Sequence, residues 1–146
     1  MSIDVDARGW PIVGATSNCR FFEVCAGVLA VLPIPPATDD EETARENSEF
    51  QDSYFRRLGT RGVVIIFFDA FVSQDKVARR VYREAPDPFV LAKALVATSL
   101  LGRAIASFAL GSRQLKTPMK MFATIEEALP WAQTQLGCAP GKETTR

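Results

Sequence analysis

The sequence predicts a single α/β domain: a mixed β-sheet of about five strands, an opening hairpin and then parallel strands, with about four helices packed largely on one side. Three observations predict it. Two strand-forming runs, Cys19 to Val24 and Val28 to Ile34, flank Ala26-Gly27 in the manner of a hairpin. The run Val63-Val64-Ile65-Ile66-Phe67-Phe68 has no polar alternation, as expected of a strand buried on both faces. From there on, apolar runs alternate with segments that open on helix-capping residues, the rhythm of β-α-β units.

Taken in order, residues 1–17 are polar with Gly and Pro and read as a leader or an early edge strand. They show no charged segment followed by an apolar one, so no secretory signal is expected. The hairpin follows, rich in Phe21, Phe22, Val24, Val28, Leu29 and Val31, and Pro33, Pro35 and Pro36 stop it. Thr38 and Glu41 have capping-box spacing, which predicts a helix from about Asp39 to Leu58. Phe50, Tyr54 and Leu58 would form its apolar face, and Gly59 its C-cap. The buried strand 63–68 ends at Asp69. Ser73 then caps a predicted helix from about Gln74 to Glu84, with Val77 and Val81 inward and the arginines outward.

Phe89 to Thr98 reads as the next strand. Ser99 leads into a helix from Leu101 to about Ser112, carrying Leu101, Ile105 and Phe108 on one stripe. Pro118 precedes a last strand, Met119 to Phe122. Thr124-Ile125-Glu126-Glu127 is a second capping box and opens the final helix. Pro130 conflicts with that helix, because an interior proline costs about 3 kcal/mol. Either the helix kinks there or it starts later. The domain therefore spans 18–136, with 137–146 as a frayed tail.

Composition narrows the function. The chain has 146 residues, 47% of them apolar, enough for one domain with a real core. Seventeen basic and 17 acidic residues cancel, so no global field draws in nucleic acid or an anionic bilayer. The absence of histidine removes Ser-His-Asp and Cys-His catalysis and the commonest metal ligand. Cys19, Cys25 and Cys138 have no metal-site spacing and read as thiols in a reducing cytoplasm. Cys19 and Cys25, six apart on one strand, are expected on the same face. The apolar stretch 94–111 is interrupted by Arg103, which argues against a membrane span. No cofactor motif and no catalytic carboxylate pair is present, so no enzyme, cofactor or metal is expected.

Three phrases carry a family likeness. The first is the strand ending in Asp69 followed by Ser73 to Arg80, with Ala78-Arg79 in the helix. The second is Ser99-Leu100-Leu101-Gly102-Arg103 after an apolar strand. The third runs from Pro118 and Phe122 through Glu126-Glu127-Ala128 to Trp131, a P-x-x-x-F-x-x-x-E-E-A-x-x-W pattern. Over roughly Phe21 to Leu136 the chain resembles the SpoIIAA-like, STAS-type domains, small bacterial α/β proteins related in fold to anti-sigma-factor antagonists. The resemblance implies a sheet with helices largely on one side and does not imply a reaction; domains of this kind often act as switches that bind a protein partner, sometimes under serine phosphorylation. Here the loop Asp69 to Asp75 has neither an Asp-Ser pair nor a Ser-Gly step.

Several residues stand out as candidates for a site. Asp69 lies just past a central strand, where open α/β sheets place ligands; a loop cap is its plainer role. Ser73 is the candidate phosphorylation site, since a phosphate would suit a helix N-terminus; as a plain N-cap it contributes about 1 kcal/mol. Ser99 and Arg103 follow the next strand and face the same sheet end, where Arg103 would hold an anion, pair with Asp69 or reach solvent. Lys76, Arg79, Arg80 and Arg83 form a basic helix face, either solvated or a docking face for an acidic partner. The helix 100–110 is apolar on more than one side, which points to burial at a homodimer contact or in a ligand groove. The leading expectation is a cytoplasmic, non-enzymatic regulatory or scaffolding module acting on an unknown protein partner. The alternative is a binder of a lipid or other small apolar ligand.

Overall fold

Gly27, at φ 82°, turns the chain between its first two long strands, as a residue without a Cβ readily does. The computed structural model describes residues 8–111 and 117–137. Its strands are β1 (Ile12–Ala15), β2 (Cys19–Cys25), β3 (Val28–Pro33), β4 (Ala37–Asp39), β5 (Gly62–Phe67), β6 (Phe71–Gln74), β7 (Val90–Val96) and β8 (Met119–Phe122). Its helices are α1 (Glu41–Leu58), α2 (Lys76–Glu84), α3 (Leu100–Leu110) and α4 (Ile125–Gln135).

The main sheet has six strands in the order β1-β2-β3-β5-β7-β8. β1, β2 and β3 pair antiparallel, and β3, β5, β7 and β8 run parallel. The mixed α/β class predicted from sequence is therefore the observed one, with a larger sheet than the expected five strands. The additional strand is β1, which pairs at the edge of the hairpin. A second, two-stranded parallel sheet joins β4 to β6.

That small sheet explains two displaced helix starts. Thr38 and Asp39 pair with Ser73 and Gln74, so all four are extended and none can open a helix. The caps move to the next acids. Asp40 caps α1 by accepting from the Thr43 amide at 3.0 Å, while Thr43 Oγ1 accepts from the Asp40 amide at 2.8 Å. Asp75 caps α2 by accepting from the Ala78 amide at 2.8 Å. Neither Thr38 nor Ser73 is an N-cap. Gly59, left-handed at φ 73°, ends α1 as predicted.

The helices divide unequally between the faces. α4 lays Ile125, Ala128 and Ala132 on Val63, Ile65, Ala92 and Ala94. On the opposite face, α1 sets Tyr54 and Phe55 on Phe21, Leu29 and Val64, and α3 sets Ile105 and Ala106 on Phe68, Phe71 and Leu95. α2 packs Ala78 and Val81 on Ala44 of α1. α1 approaches so closely that a Cβ on Gly62 would lie 2.2 Å from Phe55 Cε1. The register shifts between Glu23 and Cys25, and this bulge turns Cys25 into the α4-side core while Cys19 packs on the α1 side. The two cysteines do not share a face. Cys138 and the tail lie outside the described residues.

Two predicted apolar faces are also rotated. Leu58 of α1 is exposed, and the buried positions of that helix include Asn47, Gln51 and Asp52. In α3 the core side consists of Gly102, Ile105 and Ala106, while Leu101 and Phe108 point outward. A Cβ on Gly102 would lie 2.4 Å from Asp69 Oδ1, so only the small-residue side of α3 fits this close to the sheet. α4 begins after Thr124 as predicted and continues through Pro130.

Candidate functional site

The carboxyl ends of β5 and β7 bring three of the four candidate site residues together. Asp69 follows β5 and accepts hydrogen bonds from the amides of Thr98 and Ser99 at 2.9 Å and from Ser99 Oγ at 2.9 Å. Ser99 caps α3 by accepting from the Gly102 amide at 2.9 Å. Arg103 does not pair with Asp69; its Nη1 donates to the carbonyl of Ala97 at 3.2 Å. The loop-cap role of Asp69 is the one its contacts support, and all three side chains serve the β7–α3 junction. Ser73 lies apart, exposed on β6, and the helix dipole that would favour its phosphorylation is not at that position.

A cleft of about 530 Å³ opens at the same sheet end. Its floor is made by Leu32, Phe67 and Val96, from the ends of β3, β5 and β7. Pro35 and Pro36 form one wall, and Thr124, Ile125 and Glu126 at the start of α4 form the other. The polar groups around it already have partners: Arg8 Nη1 lies 3.3 Å from Glu126, Thr98 Oγ1 donates to the Ala123 carbonyl, and Thr124 Oγ1 accepts from the Glu127 amide. α3 does not line this cleft.

α3 instead presents an apolar outer face. Leu100 is 89% exposed, Leu101 52% and Phe108 62%. The α2 side chains run alongside. The Arg79 guanidinium lies 5.4 Å from the Phe108 ring centre, and Arg83 reaches the end of α3 at Gly111. Lys76 and Arg80 are fully on the surface.

Beneath α1 and α2 lies a buried polar network that sequence reading missed. Asp39 accepts from Thr43 Oγ1 at 2.6 Å, Gln74 Nε2 at 3.0 Å and Tyr82 Oη at 3.1 Å. Asn47 Nδ2 donates to Asn18 Oδ1 and to Tyr82 Oη. Burial pushes the Asp39 carboxyl above its ordinary value, and its three donors hold it back. Burial also raises the Tyr82 phenol and the Cys19 thiol, so Cys19 is a protonated core residue rather than a nucleophile. Lys93 sits deep in the sheet, lowered by burial and countered by Asp87 at 3.4 Å. The cavity that these residues line is about 40 Å³, too small for an organic ligand. The available signal was the polar run of α1 residues at helical spacing, Asn47 and Gln51, on the side that also carries Ala44 and Phe55.

Among the described residues, no group of three or more acidic, cysteine or histidine side chains is placed to hold a metal, and no helix is long and apolar enough to cross a membrane. A family model described as a domain of unknown function (DUF7793) matches residues 55–136, from the end of α1 through α4. The match takes in the α2–α3 surface and the β5, β7 and α4 side of the sheet-end cleft, but not its Pro35–Pro36 wall. No curated protein and no solved structure matches the chain.

Proposed function

We propose that this chain, which belongs to the DUF7793 family, is a non-enzymatic regulatory or scaffolding module that works by protein–protein contact through the outer face of α3. One observation carries this reading. Leu100, Leu101 and Phe108 are exposed on a helix whose opposite side is made of Gly102, Ile105 and Ala106. Burying each such large side chain contributes about 1.5–3 kcal/mol. Exposed apolar surface of this kind, beside a polar rim, marks interaction sites. The kinship to STAS-type domains and a cytoplasmic, partner-binding life belong to the same proposal. The polar groups at the strand ends support it too, since Asp69, Ser99 and Arg103 are spent on internal contacts.

The test is affinity capture from the native host with wild type and the double variant Leu101→Glu, Phe108→Glu. Both positions are exposed, so the variant is expected to unfold at the wild-type temperature. A protein enriched by wild type and absent with the variant supports the reading. Identical captures from both would sink it.

The sheet-end cleft favours a second reading, the binding of a small apolar ligand. Its volume of about 530 Å³ suits such a molecule, and it lies where open α/β sheets bind ligands. Native mass spectrometry of freshly purified protein would show extra mass that Ala123→Trp, which fills the cleft, removes. A bare apo mass with no thermal shift across a lipid panel would eliminate this reading.

A further inference from the structure

The apolar stripe of α3 runs beside an unneutralised row of cations. The Arg79 guanidinium lies over the Phe108 ring while its Nη1 donates to the Gln74 carbonyl at 2.7 Å, and Arg83 reaches Gly111, so two guanidinium groups line one flank of the stripe. Lys76 and Arg80 continue the row outward. Among the described residues, none of these four side chains, nor Arg103, lies within ion-pair distance of an acid. Glu84 is the one acid in α2, and α3 has none. Elsewhere the chain neutralises its helices internally, as Arg45 with Glu41 and Arg56 with Asp52 on α1. The chain as a whole is neutral, so the α2 face, with four cations against Glu84 on the helix and Asp75 at its cap, is a local patch of net positive charge.

Resting on the contact reading above, we propose that the segment seated on α3 is an acidic amphipathic helix of a partner protein. Its apolar side would cover Leu101 and Phe108, and its carboxylates would face Arg79, Arg80 and Lys76. Charge complementarity selects this occupant. A twofold dimer with the two α3 helices antiparallel would set the basic rows of both copies close together, where like charges oppose association, and one with them parallel would face each row with an α3 that carries no acid. The stripe from Leu100 to Phe108 covers about 12 Å at 1.5 Å per residue, the reach of two to three anchors on one bound helix. An anionic bilayer would also attract the cations. The row borders the stripe on the α2 flank, and Phe108 is held against Arg79 rather than free to insert.

The experiment uses the full chain and three labelled helical peptides of about 18 residues. All share one Leu/Phe face, and their polar faces carry Glu, Gln or Lys. Binding is followed by fluorescence anisotropy, in parallel with sedimentation on phosphatidylcholine vesicles with and without phosphatidylglycerol. The Glu peptide is expected to bind at least about tenfold tighter than the Gln peptide, with the preference shrinking at about 0.5 M salt. Lys76→Glu with Arg80→Glu should erase the preference while leaving thermal unfolding unchanged, and Phe108→Glu should abolish binding. Equal affinity for the Glu and Gln peptides, or a preference for Lys, overturns the acidic helix and leaves the contact reading standing. Binding to the anionic vesicles without binding of the Glu peptide overturns it in favour of a membrane. If no probe binds, the acidic helix is overturned, and the host capture with Leu101→Glu, Phe108→Glu separately decides the contact reading.

Discussion

The Asp69 carboxylate takes hydrogen bonds from both the amide and the hydroxyl of Ser99, each at 2.9 Å. An acid on the β5 loop thereby sets the start of the helix after β7, and the outward rotation of α3 follows. Gly102, one turn into α3, faces Asp69 Oδ1 with room for no Cβ. Asp69→Ala is expected to cost about 1–2 kcal/mol, a modest figure because the loop is exposed. Gly102→Ala should cost more in the wild type than in the Asp69→Ala background, since part of its clash is with that carboxylate. A double-mutant cycle from urea midpoints checks both, and full additivity would break the coupling.

Lys93 and Asp87 should respond asymmetrically to truncation. The Lys93 side chain is 5% exposed and that of Asp87 16%. Removing the acid strands a buried ammonium, whereas removing the lysine leaves a carboxylate nearer to water. Asp87→Ala should therefore cost about 3 kcal/mol and Lys93→Met less than about 1 kcal/mol. The pH dependence has a definite sign. The native ammonium is lowered from its ordinary 10.5, so between the two values the unfolded chain binds more protons. Stability from this group rises with pH through that window. Cys19 and Tyr82 titrate with the opposite sign, so the readout is the wild-type curve minus the Lys93→Met curve as pH rises towards 10.5. A flat or falling difference would refute the assignment.

Asp39 should show its burial at acidic pH. Its native carboxyl lies above its ordinary 3.8, so the folded state holds the proton more tightly than the unfolded chain. Its contribution is greatest below the ordinary value and declines as pH rises through the native one. Asp39→Asn keeps one acceptor oxygen, for Thr43 and Tyr82 on Oδ1 but not for Gln74 on Oδ2, and has no charge to bury. Its deficit relative to wild type should be smaller at pH 7 than at pH 4, measured by urea unfolding. A deficit that grows with pH would mean the three donors outweigh burial.

What could be read from sequence was local, and what could not was carried by distant contacts. The hairpin around Gly27, the buried run of β5 and the bounds of β8 depend on neighbouring residues and were legible. The caps at Thr38 and Ser73 were displaced because β4 pairs with β6, a contact across more than thirty positions. Bulk and spacing favour the stripe Leu101-Ile105-Phe108 as a core face, yet Leu101 and Phe108 are exposed. The deciding contact is Gly102 against Asp69, which no window along α3 contains. The same holds at the site. Asp69 and Ser99 were placed at one sheet end by strand order alone, whereas the Asp39–Tyr82–Asn47 network joins β4, α2 and α1 and leaves no local pattern.

Pro130 sits in the second turn of α4, where it can neither donate to the Glu126 carbonyl nor avoid crowding it. The helix tolerates this because Glu126 and Pro130 are both exposed, so water can serve the orphaned carbonyl, while Ile125, Ala128 and Ala132 stay on the sheet. Nothing in that core requires the ring. Pro130→Ala restores the helical amide, a gain of up to about 3 kcal/mol, against about 0.4–1 kcal/mol lost by freeing the unfolded chain. The variant should be more stable by about 1–2 kcal/mol, seen as a melting temperature several degrees higher. A lower melting temperature would show instead that the Pro130 ring helps to hold Trp131 against Phe122, whose ring centres are 5.6 Å apart.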